Sequence, residues 1–219
     1  MCHMQRNILA IALSVLVAGA TANAEIIITS TFDTDVDGWA KLPGADASSS
    51  VQWISSGGNP GGFMRYNEVG AGFIDYVVAP SKFLGDRSLL YGGTFSFDIT
   101  TNIISSPTNR NDQVRFLGGG LGIRRQLPNP IVGVWSYRLL ELTDTGGWIS
   151  EVTNAAATEL EIMTVLGNLT GIHLLTDYRS GSEQPSFDNI RLYTPIPEPN
   201  SASLTVLAAA VIMRHRRRH

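Results

Sequence analysis

Between residues 25 and 194 the chain breaks into short β-branched or aromatic runs, each closed off by Gly, Pro, Asn or Ser. The runs fall at 26–32, 51–54, 63–67, 73–78, 94–100, 113–117, 121–127, 133–140, 170–177 and 189–193. Strands this short and this regularly spaced, without alternating helices, pack as an antiparallel sandwich rather than a parallel sheet. The run 94–100 shows the period most openly. Phe95, Phe97 and Ile99 alternate with Thr94, Ser96 and Asp98, as in a strand with one buried face. One stretch departs from the pattern. Residues 154–167 read as a helix: Thr158 and Glu161 have capping-box spacing, Leu160, Met163 and Leu166 follow at helical spacing, and Gly167 is placed to end it. On that helix Glu159 and Glu161 diverge, so they do not form a carboxylate pair.

The two ends carry addresses. Arg6 supplies a charged start, residues 8–17 an apolar stretch, and Ala22-Asn23-Ala24 a small-residue cleavage site, so 1–24 is expected to be a helical signal peptide and Glu25 the mature start. At the other end Pro195-Ile196-Pro197-Glu198-Pro199 leads into an apolar run at 202–213 and the basic end Arg214-His215-Arg216-Arg217-Arg218-His219. A basic end resists translocation and holds an apolar segment in the bilayer. The order resembles the PEP-CTERM sorting tail of bacterial proteins. That resemblance implies processing of 195–219 by an exosortase-like sorting peptidase, transient membrane contact through an apolar helix at 202–213, and a destination in the cell envelope or extracellular matrix. The apolar run is shorter than the roughly 17–25 residues of a spanning helix, so a plain amphipathic C-terminal helix stays open.

Cys2, the single cysteine, leaves with the signal peptide, and His173 is the one histidine of the 25–194 core. A Cys/His zinc site, a thiol nucleophile and a disulfide framework are thereby excluded from the core. Setting aside Arg6 and the four tail arginines from 16 basic residues, and Glu198 from 19 acidic ones, leaves a core near −7. So acidic a module is a poor partner for nucleic acid, whose binding rests on phosphate neutralisation. The core is long enough for one domain.

The stretch from Ala79-Pro80-Ser81 through Lys82-Phe83-Leu84-Gly85-Asp86-Arg87 to Tyr91-Gly92-Gly93-Thr94-Phe95-Ser96-Phe97-Asp98 resembles the signature of laminin B (laminin IV) domains. Phe32-Asp33-Thr34-Asp35-Val36-Asp37-Gly38-Trp39 opens the domain, and Phe187-Asp188-Asn189-Ile190-Arg191-Leu192 closes it in the same order. The resemblance implies an all-β, antiparallel jelly-roll sandwich akin to carbohydrate-binding modules, with one short helix and no catalytic activity. Laminin modules sit among EGF-like repeats, which this chain lacks.

Such sandwiches often tie their first and last strands together with a structural calcium ion, which here would bridge Asp33 and Asp188. Calcium takes about six to eight oxygens from carboxylates and carbonyls. Asp33, Asp35 and Asp37 do not make an EF-hand, because Gly44 stands where its final Glu belongs. The opposing reading is that these aspartates cap turns. A sugar-binding surface needs exposed aromatic faces. Trp39, Trp135 and Trp148 stand at strand positions where large aromatics are more often core, whereas Trp53 and Tyr66 flank the loop Gly57-Gly58-Asn59-Pro60-Gly61-Gly62 and are the ligand candidates. That loop lacks the Lys-Ser/Thr of a phosphate loop and reads as a tight turn. His173 lies in the alternating run Ile172-His173-Leu174 and reads as a satisfied strand histidine. No Gly-x-Ser-x-Gly elbow is present, so an enzyme is not expected. The expected function is a secreted bacterial surface or matrix module for adhesion to polysaccharide. The alternative is a structural matrix component that contacts surface proteins without a sugar site.

Overall fold

The computed structural model describes residues 25–69, 74–103, 105–108, 110 and 112–195. The expected signal helix at 1–24, the apolar helix at 202–213 and the sorting tail past residue 195 lie outside the described residues.

The described residues form twelve strands and one α-helix: β1 (Ile26–Ser30), β2 (Ala40–Lys41), β3 (Ser50–Gly58), β4 (Gly61–Asn67), β5 (Tyr76–Val78), β6 (Thr94–Thr100), β7 (Val114–Gly118), β8 (Leu121–Arg125), β9 (Ser136–Glu141), β10 (Ile149–Ser150), α1 (Glu159–Gly167), β11 (Leu169–Leu175) and β12 (Ser186–Tyr193). They make two six-stranded sheets with antiparallel pairing throughout. The first runs β3-β4-β12-β6-β9, with β1 also on β12; the second runs β10-β8-β7-β11-β5-β2. This is the all-β jelly-roll sandwich that the turn spacing and the resemblance imply.

Alternation sets the core. Phe95, Phe97 and Ile99 point from β6 into the space between the sheets, where Phe95 meets Phe116 edge-on at 5.3 Å and Phe116 meets Trp148 at 5.1 Å. Trp39 and Trp148 are core residues, and each indole N–H is paired: with Ser30 Oγ at 3.0 Å and with the Glu141 carbonyl at 2.7 Å. The signature stretch wraps the rim in two one-turn helices, Ser81–Phe83 and Ser88–Leu90, which bury Phe83 and Leu90.

The helix is shorter than its sequence pattern. It starts at Glu159 behind the expected capping box, with the Thr158 hydroxyl accepting the Glu161 N–H and Glu161 accepting the Thr158 N–H. Its buried stripe is Ile162, Val165 and Leu166, whereas Leu160 is 75% and Met163 42% exposed. Packing against β7 and β8 selects that stripe, and Gly118 brings β7 close under the helix: a Cβ there would overlap the Val165 and Asn168 carbonyls.

β12 changes partner halfway. Ser186 and Phe187 pair with β4, whereas Ile190 to Tyr193 pair with β1. On the β6 side the register slips between Asp188 and Arg191, with Asn189 at φ 51°, a left-handed residue of the kind that opens a bulge. The bulge puts Asp188 at the seam between β1 and the β3–β4 hairpin.

Candidate functional site

Asp188 is fully buried at that seam. Its Oδ2 accepts the Asn59 N–H at 2.6 Å, and its Oδ1 accepts the Asn189 N–H at 2.7 Å. Asn189 also donates through Nδ2 to Asp98 Oδ2 at 2.9 Å, an oxygen that Asn59 Nδ2 reaches at 3.3 Å. Burial raises the Asp188 pKa, the two N–H bonds oppose the rise, and the charges of Asp98 and Asp33 add to it. Asp33 faces the same hairpin. A Cβ on Gly61 would stand 3.1 Å from Asp33 Oδ1, and one on Gly58 would stand 2.7 Å from Asp188 Oδ2 and 3.0 Å from the Gly61 carbonyl. The hairpin glycines therefore let its backbone approach Asp33 and Asp188 closely, bringing carboxylate and carbonyl oxygens together, the ligand type that suits a hard cation. Among the described residues no three Asp, Glu, His or Cys side chains converge on one metal position. An ion here would rest on Asp33, Asp188 and carbonyls. Asp35 and Asp37 serve the turn instead: Asp35 accepts the Asp37 N–H at 2.6 Å, and Asp37 pairs with Lys82.

The second polar constellation lies on the outer face of the second sheet. Phe116, Ile123 and Ile172 point inward there, so their neighbours Arg115, Arg124 and His173 point outward, with His173 and Arg115 in register across β11 and β7. Arg115 makes a two-pronged pair with Glu151, Nε to Oε1 at 2.6 Å and Nη2 to Oε2 at 2.9 Å. Its guanidinium lies 5.6 Å from the Tyr76 ring centre, and that ring is 5.9 Å from the His173 ring. Tyr76 donates its hydroxyl to Asp112 at 2.6 Å. Gly171 and Gly122 keep the face clear beside them: a Cβ on Gly171 would meet His173 Nε2 at 3.0 Å, and one on Gly122 would overlap Glu151.

Electrostatics leave this face partly unsatisfied. Burial, helped by the Arg115 charge, pushes His173 down to about 4, so the imidazole is neutral at physiological pH. The charges of Arg115 and Glu151 cancel, and their bond raises the pKa of Arg115 and lowers that of Glu151. His173 Nδ1 and Asp112 Oδ1 are buried with no partner among the described residues. His173 is therefore not the satisfied strand histidine that its flanking apolar residues suggest. Unpaired buried polar atoms are uncommon and call for a reason. The sequence signal for this face was weak, since β11 and β7 lie far apart in the chain.

The two aromatic candidates fare differently. Tyr66 is 0% exposed: its register partner Val51 and its neighbour Met64 share the inward face, and its hydroxyl donates to Asp75 at 2.5 Å. It is a core residue, which corrects its reading as a ligand contact. Trp53 is 39% exposed on edge strand β3, with its indole N–H held by the Phe32 carbonyl at 2.7 Å. The structure keeps both of them on the first sheet, away from His173 and Arg115.

Fold and surface together define a two-sheet jelly-roll module with polar outer faces. The laminin B (domain IV) family matches residues 76–211, and the chain belongs to that family. Human laminin subunit gamma-2 is 28% identical over 181 residues, covering 78% of this chain and 14% of that protein. The chain thus spans only a small part of the curated relatives it matches. Among solved structures, the L4b domain of human laminin alpha-2 has a TM-score of 0.50 at 20% identity, covering 55% of this chain and 70% of that one. The family 11 carbohydrate-binding module of the Clostridium thermocellum cellulosomal cellulase Lic26A-Cel5E has a TM-score of 0.52 at 17% identity, covering 80% of this chain and 96% of that one. Both share the fold.

Proposed function

We propose that the chain is a secreted, non-catalytic module that retains an extracellular polysaccharide on the outer face of its second sheet. The observation that carries this reading is the set Tyr76, Arg115, Glu151 and His173 on one face, with His173 Nδ1 unpartnered. A cancelled ion pair beside a neutral imidazole matches the donors and acceptors of sugar hydroxyls without selecting for charge. The family 11 carbohydrate-binding module shares the fold, which supports a saccharide ligand. A calcium ion at Asp33 and Asp188 would act as a clamp, neutralising the seam between β1 and the hairpin. We place the protein in a bacterial cell envelope or matrix, with 1–24 removed on export and 195–219 read by a sorting peptidase.

Affinity electrophoresis against neutral polysaccharides tests the proposal. Retardation by at least one polymer is expected, reduced roughly tenfold in affinity by His173→Ala, since a lost hydrogen bond of this kind is worth about 1 kcal/mol or more. No retardation by any polymer, or equal retardation of the variant, refutes it. A second reading is favoured by one observation: β9 is an edge strand with Tyr137 57% and Leu139 53% exposed, a surface suited to another protein. Self-association without sugar binding, lost on Leu139→Lys, would select it.

A further inference from the structure

The first sheet carries a separate pocket on its own outer face. Arg65, Ser186 and Thr100 stand in register across β4, β12 and β6, and Ser136 pairs with Ile99, which sets Trp135 beside Thr100. Together with Phe63 and Gln184 they line a cavity of about 220 Å³. That volume falls below the roughly 300–1,000 Å³ of sites for drug-sized ligands and suits one sugar ring.

The pocket is built, and its polarity has a sign. Trp135 is anchored by its indole N–H on the Gly57 carbonyl at 3.0 Å, and its ring meets Phe63 edge-on at 5.5 Å. The Gln184 amide is oriented by Asn67 at 2.7 Å and by Asn102 at 2.9 Å. Arg65 is the one ionisable residue among those lining the pocket. It lies 5.1 Å above the Phe63 ring and has no ion pair among the described residues. Its Nε and the Thr100 hydroxyl are buried without partners among the described residues. Asp98 and Asp188, two residues away on the same face, do not answer it, because their oxygens take the Asn59 and Asn189 donors. A buried guanidinium edge and a free hydroxyl beside an aromatic wall call for a planar anion on a ring-sized body.

We propose that this pocket binds the carboxylate-bearing ring of an acidic polysaccharide, a uronate. Arg65 takes the carboxylate, Thr100, Ser186 and Gln184 take the ring hydroxyls, and Trp135 flanks the apolar face. The pocket is on the opposite sheet from His173, and the inference does not rest on that reading.

Titration of the full chain with short oligomers of galacturonic acid, with neutral oligomers as control, tests it. The acidic oligomers are expected to bind, to shift the Trp135 indole N–H resonance, and to weaken with salt. Arg65→Gln is expected to lose at least about tenfold in affinity, in line with a charged hydrogen bond, while Arg65→Lys keeps part of it. The wild-type resonance shift keeps the test valid should a variant fail to fold. No binding, unchanged affinity in Arg65→Gln, or shifts confined to Tyr76 and His173 would overturn the proposal. So would acetate binding as tightly as the oligomer, which would mark a site for any carboxylate, such as a protein C-terminus. His173→Ala should leave uronate binding intact, which separates a failure here from a failure of the other face.

Discussion

Glu183 gives the sharpest test of how this fold handles buried charge. It is 0% exposed, and its Oε1 accepts the N–H groups of Tyr178 and of Arg179, the latter at 3.0 Å. Its own N–H donates to Glu68 at 3.1 Å, and Asp177, paired with Arg110, lies close enough to add repulsion. Burial pushes Glu183 up to about 8 and Glu68 up to about 7, against an ordinary 4.5. In that window the native state holds a proton that the unfolded chain has released, so rising pH favours unfolding. The stabilising contribution is complete below the unfolded value and is lost as pH climbs through the folded one. At about 1.4 kcal/mol per tenfold change in proton affinity, the ceiling for Glu183 is roughly 5 kcal/mol. Local relaxation and water entry bring the expectation to about 2–3 kcal/mol, still a large share of a typical 5–15 kcal/mol domain stability. Urea unfolding at about pH 5 and about pH 9 measures it through the midpoint. The wild type should be less stable at the higher pH. Glu183→Gln keeps an oxygen for Tyr178 and Arg179 but cannot ionise, so it should flatten the profile and exceed the wild type at about pH 9. A wild-type midpoint that holds or rises with pH, or a Gln variant with the wild-type slope, refutes the reasoning.

Two further outcomes are expected from local geometry. Calcium should raise the melting temperature of the wild type by mass action and leave Asp188→Ala unmoved; a chelator without effect on calorimetric melting would return Asp33 and Asp188 to the role of turn residues. Thr158→Ala removes the hydroxyl that accepts the Glu161 N–H at 3.3 Å and should cost about 1 kcal/mol in a denaturant titration, with no change in ligand binding.

The readable parts of the fold were those decided by local pattern. β6 announced itself because one of its faces is wholly apolar, and the capping box because Thr158 and Glu161 satisfy each other within one turn. The helix stripe was not readable. Leu160 and Met163 are spaced as well as Ile162 and Val165, and contact with β7 and β8 chooses between them. Tyr66 failed for a related reason: Phe63, Met64 and Tyr66 make β4 apolar on both faces, so alternation does not say which way the hydroxyl turns. Asp33 and Asp188 were brought forward by family resemblance, and the bulge at Asn189 explains why they meet one hairpin. The His173 face needed register, since Arg115 and Glu151 come from other strands and loops, and no spacing in the sequence joins them.

The two outer faces use arginine in opposite ways, and this difference separates the ligands proposed for them. Arg115 has its charge cancelled by Glu151 at hydrogen-bond distance, so an approaching polymer meets directional donors and acceptors with little net field. Arg65 has no such partner among the described residues, and its field points into the pocket. Screening acts on the second case and scarcely on the first, because a Debye length of about 10 Å at 0.1 M ionic strength weakens the attraction of a free charge for a ligand but not a bond already closed within the protein. A polymer held at the His173 face should therefore bind equally at low and moderate salt, whereas a uronate at the Arg65 pocket should not. If one polymer carries both neutral and acidic rings, the sheets would grip it from opposite sides of the sandwich. That geometry would cross-link chains, since a single strand would have to bend round an edge of the sandwich to reach both.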